Sequence, residues 1–278
     1  MRIKFSIVTP SYNQADFIEQ TIKSIWSQKG NFKIQHIVVD GSSTDKTLEI
    51  LKKYEKLAKT KKYKNLEFIW LSEKDRGQAD ALNKGFRLAN GNIFSYLNSD
   101  DLYCKNAFTK VLKFFKSHPA ASVVFSDYWT INENSKKIKK HKCGPFNRDH
   151  LLNKGNPVGQ PAVFWRKSVY RTIGEFNIGY QYCMDYDYWC RITKRFKFYA
   201  LKNEVLACFR LHKGSKTVSS KNKFFREQRR ASRKNDGKFF SKMLLEHYLQ
   251  IFEGLCKKYL PAKIVVLLQR SFGFFKNI

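Results

Sequence analysis

Two adjacent carboxylates, Asp100 and Asp101, follow Asn98 and Ser99 at the end of the hydrophobic run Ile93-Phe-Ser-Tyr-Leu97. Hard divalent cations such as Mg²⁺ and Mn²⁺ take oxygen ligands and bind phosphates beside only one or two protein carboxylates, so this pair could hold a phosphate-bound metal. Its competing role is to cap a helix starting near Lys105, which Asp does well. Asp40 closes a second run, His36-Ile-Val-Val39, just before Gly41-Ser-Ser43. That placement suits a hydrogen bond to a base or ribose, with a turn or cap as the alternative. The segment has neither GxGxxG nor GxxxxGK[ST], which disfavours a glycine-loop phosphate site and leaves metal plus side chains as the means of holding phosphate.

Asp75-Arg-Gly-Gln-Ala-Asp80-Ala-Leu-Asn83-Lys-Gly85 runs from a strand end into a helix. Gly77 permits close backbone approach and the helix N-terminus stabilises anions, so Asp75, Gly77 and Asp80 could face a pyrophosphate; Ala79, Leu82 and Phe86 form a buried stripe in either case. Asp185 and Asp187, in Met184-Asp-Tyr-Asp-Tyr-Trp189, diverge by about 200° on a helix. Only one can enter a site, and the other is expected to cap the helix or pair with Arg191 or Lys194. His212, in Arg210-Leu-His-Lys-Gly-Ser215, is either a metal or phosphate ligand or a surface residue beside lysines.

The elements that must position these groups alternate. Phe5–Thr9, His36–Asp40, Leu66–Trp70 and Ile93–Leu97 read as buried strands. Between them, Phe17, Ile18, Ile22, Ile25 and Trp26, then Leu48, Leu51, Tyr54 and Ala58, recur at helical spacing, the second helix opening on Ser43-Thr44-Asp45. This rhythm predicts a mostly parallel, doubly wound α/β sheet whose ligands bind beyond the carboxyl ends of its strands. Pro10-Ser11-Tyr12-Asn13 and the clusters at Asp40, Asp75 and Asn98 all fall on that edge.

Beyond Ser126 the rhythm is lost. Lys136–Lys142 reads as an exposed basic turn, Arg166–Ile173 and Asp185–Arg195 as helices, and Phe196–Leu201 and Val205–Phe209 as strands. The chain is expected to be helical from Arg226, with Leu244, Leu245, Tyr248, Ile251, Phe252 and Leu255 facing a core. The organisation expected is a catalytic domain over residues 1–215, in halves 1–126 (nucleotide) and 127–215 (acceptor), and a basic, aromatic, helical extension over 216–278.

At 42% hydrophobic and 15% aromatic, the 278 residues can bury one principal core, which excludes global disorder. A formal net charge of +30 implies an anionic partner: nucleic acid, an acidic membrane surface or phosphate-bearing small molecules. Lys202–Ile278 carries 18 Lys and Arg against 5 Asp and Glu, a net of +13. Those charges adjoin Tyr259, Leu260, Ile264–Leu268, Phe272, Phe274 and Phe275, so reversible docking on an anionic membrane surface is expected, against closure of the core or of a subunit contact. The six cysteines form no CxxC pair and no secretory leader precedes them, which fits a reducing cytoplasm. The longest aliphatic run, Ile264–Leu268, is too short to span a bilayer.

Taken together and in order, Thr9-Pro-Ser-Tyr-Asn13, Val39-Asp-Gly-Ser-Ser-Thr-Asp45, Asp75–Gly85, Leu97-Asn-Ser-Asp-Asp101 and Met184–Trp189 resemble the motif set of bacterial family-2 glycosyltransferases with the GT-A fold. The resemblance covers about the first 215 residues. It implies a nucleoside diphosphate sugar donor, with Pro10, Tyr12 and Asp40 on the nucleoside and Ser11 beside them. It makes Asn98-Ser99-Asp100 the counterpart of the DxD metal motif and Asp185 the general base, with Asp187 as its rival. His212 resembles the late metal or pyrophosphate ligand. Asn98 replaces the first acid of DxD, shifting the expectation to Asp100 with Asp101 near, and Met184 replaces the Glu before the base.

The function so implied is an inverting, Mn²⁺- or Mg²⁺-assisted transfer, with UDP-sugar as the expected donor. A glycan or lipid-linked hydroxyl would accept it, in cell-surface polysaccharide or glycolipid synthesis at the cytoplasmic face. A nucleotidyltransferase would share the sheet and the acids, yet Thr9-Pro-Ser-Tyr-Asn13 lacks a glycine-rich basic loop. A nucleic-acid-binding protein would account for the charge and for the basic aromatic segment Lys221–Phe240, but not for acids at strand ends, so no nucleic acid is expected.

Overall fold

The apolar runs become strands because each is short, rich in Val, Ile and Phe, and ends on a polar turn. In the computed structural model, which describes residues 2–144, 146–212, 214–215 and 221–259, the first half reads β1 (Lys4–Ser11), α1 (Ile18–Trp26), β2 (Lys33–Asp40), α2 (Thr47–Ala58), β3 (Leu66–Ser72), α3 (Gln78–Leu88) and β4 (Ile93–Tyr96). Strands β3, β2, β1 and β4 are neighbours in that order and all parallel. Asp45 starts α2 as expected, its carboxylate accepting from Thr47 N at 2.9 Å and from Ala15 N at 3.0 Å.

The second half widens the sheet to nine strands of mixed direction. It adds β5 (Leu102–Tyr103), α4 (Ala107–Ser117), β6 (Val123–Ile131), β7 (Lys137–His141), α5 (Arg148–Lys154), β8 (Val163–Arg166), α6 (Lys167–Ile173), α7 (Met184–Ile192), β9 (Phe198–Arg210), α8 (Lys221–Lys234) and α9 (Lys242–Tyr259). The order runs β3-β2-β1-β4-β8-β6-β9-β5, with β7 on β6. Strand β8 is antiparallel to both β4 and β6, and β9 is parallel to β6.

Side chains alternate across the sheet and feed a core on each face. Phe5, Ile7 and Val38 pack with Ile22, Leu51 and Phe108 of α1, α2 and α4. Val8, Ile37 and Val39 pack on the other face with Leu82 and Phe86 of α3, a core that continues into α5, α6 and α7. Gly85 brings α3 close to the sheet, since a Cβ there would lie 2.4 Å from Val8 Cγ1.

Four expectations need correction. Lys137–His141 is a strand, with the turn at Asn132–Lys136; its exposed basic side chains hid an edge strand whose pairing on β6 needs no apolar face. The strands expected at Phe196–Leu201 and Val205–Phe209 are one continuous strand, β9, which starts at Phe198 and whose register on β6 shifts near Asp127. Helix α4 starts at Ala107, after a strand, so Asp100 and Asp101 do not cap it. In α9, Met243, Leu244 and Cys256 are buried while Leu245, Tyr248 and Phe252 are exposed, so the expected core stripe is largely turned outward. Ile251, Leu255 and the apolar tail from Leu260 to Phe275 lie outside the described residues or side chains.

Residue 126 falls inside β6, which runs unbroken through the division expected between the halves. Among the described residues, no helix is long and apolar enough to cross a membrane.

Candidate active site

The carboxyl ends of β1 and β4 open, with the N-termini of α3 and α7, onto a cavity of about 420 Å³. Its lining includes Pro10, Ser11, Tyr12, Asp75, Gly77, Asn98, Ser99, Asp100, Asp185 and His212, ten of the fourteen residues singled out from sequence. Asp40, Asp80, Asp101 and Asp187 do not line it.

The rim at β1 is held by side chain to backbone bonds that lace two loops together. Asn13, at φ 50°, has its N–H donating to Ser43 Oγ at 2.8 Å, while its side-chain oxygen accepts from Thr44 N at 2.8 Å. Asp40 is fully buried and accepts from Ser43 N (2.9 Å), Ser43 Oγ and Ser72 Oγ (2.7 Å). Its carboxylate thus organises the loop under the cavity. Tyr12, 59% exposed, offers a ring face at the rim.

At the start of α3, Gly77 has φ +111°, a backbone conformation that favours glycine, and its bare Cα leaves room for the tip of the Gln181 side chain. Asp75 Oδ1 accepts from Gly77 N at 2.8 Å. Asp80 turns back to accept from Arg76 N at 3.1 Å and pairs with the Arg76 guanidinium at 3.3 Å, capping the first turn.

Asp100 and Asp101, adjacent in sequence, part company. Asp100 Oδ2 lies 2.9 Å from His212 Nε2 at the cavity wall. Asp101, expected beside it as a second metal ligand, is fully buried instead: its oxygens accept from Arg210 N (2.8 Å) and Asn98 Nδ2 (3.2 Å). Burial, with Asp100 nearby, pushes the Asp101 carboxyl well above the usual range. Buried Arg210 stitches this corner together, donating to Asp100 O at 2.7 Å, Glu133 O at 2.7 Å and Gln20 Oε1 at 3.0 Å.

Asn98 is a hub. Its oxygen accepts from Gln78 Nε2 at 2.6 Å, and its amide donates to Asp101 and, at 3.3 Å, to Gln160 Oε1. A carboxylate could not donate to Asp101, so an amide at this position is what the buried acid beside it requires.

The donor set fits a divalent cation bound together with a diphosphate. Asp100 Oδ2 and His212 Nε2, joined by a 2.9 Å hydrogen bond, are an oxygen and a nitrogen donor of the kinds such an ion takes, and they are the residues that would hold it. No group of three or more His, Cys, Asp or Glu able to hold a metal occurs among the described residues, so the remaining ligands would be phosphate and water.

The two acids of α7 separate as their spacing demands. Asp187 is buried and paired with Arg191 Nε at 2.9 Å. Asp185 lines the cavity without an ionic partner among the described residues, and burial pushes its carboxyl up to about 6. The turn before it is fixed from the C-terminal segment: Glu227 of α8 accepts from Gln181 N (3.0 Å), Tyr182 N (2.7 Å) and Cys183 N (3.0 Å). Phe224 of the same helix lines the cavity. Glu227, Phe224, Gln160 and Gln181 escaped the sequence reading, because nothing in the run Lys221–Lys234 separates a capping Glu from a solvated one.

Residues 6–174 match the sequence pattern of Glycosyl transferase family 2. The chain is 31% identical over 209 residues to a putative teichuronic acid biosynthesis glycosyltransferase, TuaG, of Bacillus subtilis, covering 74% of this chain and 78% of that one. Two solved structures share the fold at low identity. Mannosyltransferase PcManGT from Pyrobaculum calidifontis, in complex with GDP-Man and Mn²⁺, superposes with a TM-score of 0.67 at 17% identity, covering 99% of this chain and 82% of that one. Residues 1–349 of S. aureus TarS in complex with UDP-GlcNAc give 0.65 at 18%, covering 92% and 73%. This chain spans 44% of the longer TarS chain.

Proposed function

The chain belongs to glycosyl transferase family 2, and as a glycosyltransferase of that family we propose that it moves a sugar from a nucleoside diphosphate, UDP by preference, onto an acceptor hydroxyl with inversion. The observation that carries this reading is one cavity lined both by the paired Asp100 and His212 and by Asp185 of α7, which has no ionic partner among the described residues. A group for the diphosphate and a base for the acceptor thereby share one cavity, as direct displacement requires.

Tyr12, Pro10 and Ser11 would receive the nucleoside at the rim, while Asp40 and Asp80 shape the loops that face it. Asp75, Gly77 and Ser99 would border the diphosphate. Asp100 and His212 would hold Mn²⁺ or Mg²⁺, which when bound neutralises charge on the departing diphosphate; a nitrogen ligand beside an oxygen one favours Mn²⁺. Asp185 takes the proton of the acceptor hydroxyl. With its carboxyl raised to about 6, it is mostly ionised at neutral pH yet a stronger base than an ordinary carboxylate. Asp187, neutralised by Arg191, is poorly placed to do so. A single base on the acceptor side needs no covalent intermediate, which supports inversion.

The structural neighbours were captured with UDP-GlcNAc and GDP-Man, and the Bacillus relative is named for teichuronic acid synthesis. These support a nucleotide sugar as donor and a glycan or lipid-linked acceptor in cell-surface polysaccharide or glycolipid synthesis. Thermal-shift and saturation-transfer NMR screening against UDP-, GDP- and CMP-sugars with and without Mn²⁺ tests the proposal. A metal-dependent response to a nucleotide sugar is expected, and none to any of them would refute it.

We also propose that the C-terminal segment rests on an anionic membrane at the cytoplasmic face. Phe239, Phe240, Leu245, Phe252 and Tyr259 are exposed in a strongly basic stretch, and each Lys or Arg near such a surface adds about 1 kcal/mol. Phosphatidylglycerol vesicles should pull down the protein at low salt, and replacing Phe240, Leu245 and Phe252 by Ser should release it. Equal retention of that variant would refute the docking.

A further inference from the structure

Three polar atoms on residues that line the cavity have no partner among the described residues, Ser11 Oγ, Gln14 Oε1 and Tyr96 Oη, and Tyr96 is the least exposed of the three. Tyr96 ends β4, is 1% exposed and is one of the residues that line the cavity, and among the described residues its buried hydroxyl has no hydrogen-bond partner. Its ring makes an edge-on contact with Phe176 at 5.6 Å, and its carbonyl accepts from Gln160 Nε2 at 2.9 Å. Burial first, then the charges of Asp185 and Asp101, push the phenol well above its usual range, which keeps it a neutral O–H donor.

Nine in ten or more of buried polar groups in folded proteins are hydrogen-bonded, so an orphan hydroxyl on a residue that lines a ligand cavity offers a bond that a ligand can complete. Tyr96 sits on the sheet face that α3 and α7 cover, between the strand end that leads to Asp100 and the helix that carries Asp185. A donor with its diphosphate at Asp100 and His212 and its reacting carbon toward Asp185 must lay its sugar across this point. We propose that Tyr96 Oη donates a hydrogen bond to a hydroxyl of the transferred sugar, making Tyr96 a specificity-determining residue for the donor. This rests on the nucleotide-sugar reading above.

Tyr96→Phe removes only the hydroxyl and keeps the ring on Phe176. The expected result is a fall in kcat/KM for the preferred donor of about threefold to tenfold, the range for one neutral hydrogen bond. Affinity for UDP alone should stay at the wild-type value, and Tm should be unchanged or higher, since an unsatisfied buried hydroxyl is gone. In a series of deoxy donors, the analogue lacking the contacted hydroxyl should be used equally by both proteins. Loss of UDP affinity in step with donor affinity, or an unchanged kcat/KM for every donor, overturns the assignment. Failure of the wild-type protein to bind any nucleotide sugar sinks instead the reading on which it rests, and this one with it.

Discussion

Replacing Glu227 by alanine should disable the site from a distance, because one carboxylate holds three consecutive backbone N–H groups, those of Gln181, Tyr182 and Cys183, at 2.7 to 3.0 Å. These groups precede α7, and Asp185 lies in its first turn. Losing a helix-capping acceptor costs about 1 kcal/mol, and a hydrogen bond to an ionised group is worth about 1.5–3 kcal/mol before water takes over the exposed share. Gln181 is exposed and Tyr182 and Cys183 are covered, so a net loss of about 2–3 kcal/mol is expected, a Tm drop of roughly 4–12 °C for a chain of this size. Glu227→Gln keeps an acceptor and loses the charge, which should cost about 1 kcal/mol. Loosening the first turn also blurs the position of Asp185, so kcat should fall about tenfold or more while KM for the donor holds. Calorimetry with steady-state kinetics, run well below the lowered Tm, gives both numbers. An alanine variant with Tm within 1 °C of wild type, or one losing donor affinity at constant kcat, would refute the capping role.

Asp100→Ala should abolish metal-dependent UDP binding, and EDTA should do the same to the wild type; titration calorimetry showing equal affinity in all three cases would overturn the metal assignment. For Asp185→Asn, turnover should vanish with donor affinity nearly intact, whereas Asp187→Asn should mainly cost stability through unpaired Arg191; the reverse pattern would exchange their roles. Wild-type kcat/KM should rise with pH through about 6 as Asp185 ionises. The same raised value means that its folded-state contribution is fully present below the unfolded value of 3.8 and is lost as pH rises through about 6. Asp185→Asn should therefore be more stable than wild type at pH 7, by at most about 3 kcal/mol, and denaturant melts at pH 4 and pH 7 check this. In metal-free protein, Asn98→Asp should lower stability at pH 7 by about 1–3 kcal/mol, since it sets a second carboxylate where the amide donated to Asp101; an unchanged melt would remove the reason given for the amide.

Local pattern was enough for the half of the sheet that carries most of the site. Strands β1 to β4 are short, mostly apolar runs because parallel strands are covered on both faces, and the helices between them repeat at 3.6 residues, so their order and the shared carboxyl edge follow from sequence alone. Spacing also dictated that Asp185 and Asp187 could not both face one cavity. What chain neighbours could not decide is which of two adjacent acids turns inward. Asp101 is claimed by the backbone N–H of Arg210, 109 positions away, and Asp100 by His212, so their different fates appear only when β9 lies against β5. The same holds for β7, whose exposed lysines carry no apolar alternation, and for α9, whose buried side depends on the α5 surface it meets. Glu227 is the clearest case: the charge that caps α7 comes from a helix some 40 residues later, and only tertiary packing, by bringing an anion to three orphaned N–H groups, distinguishes it from the other acids of a solvated basic segment.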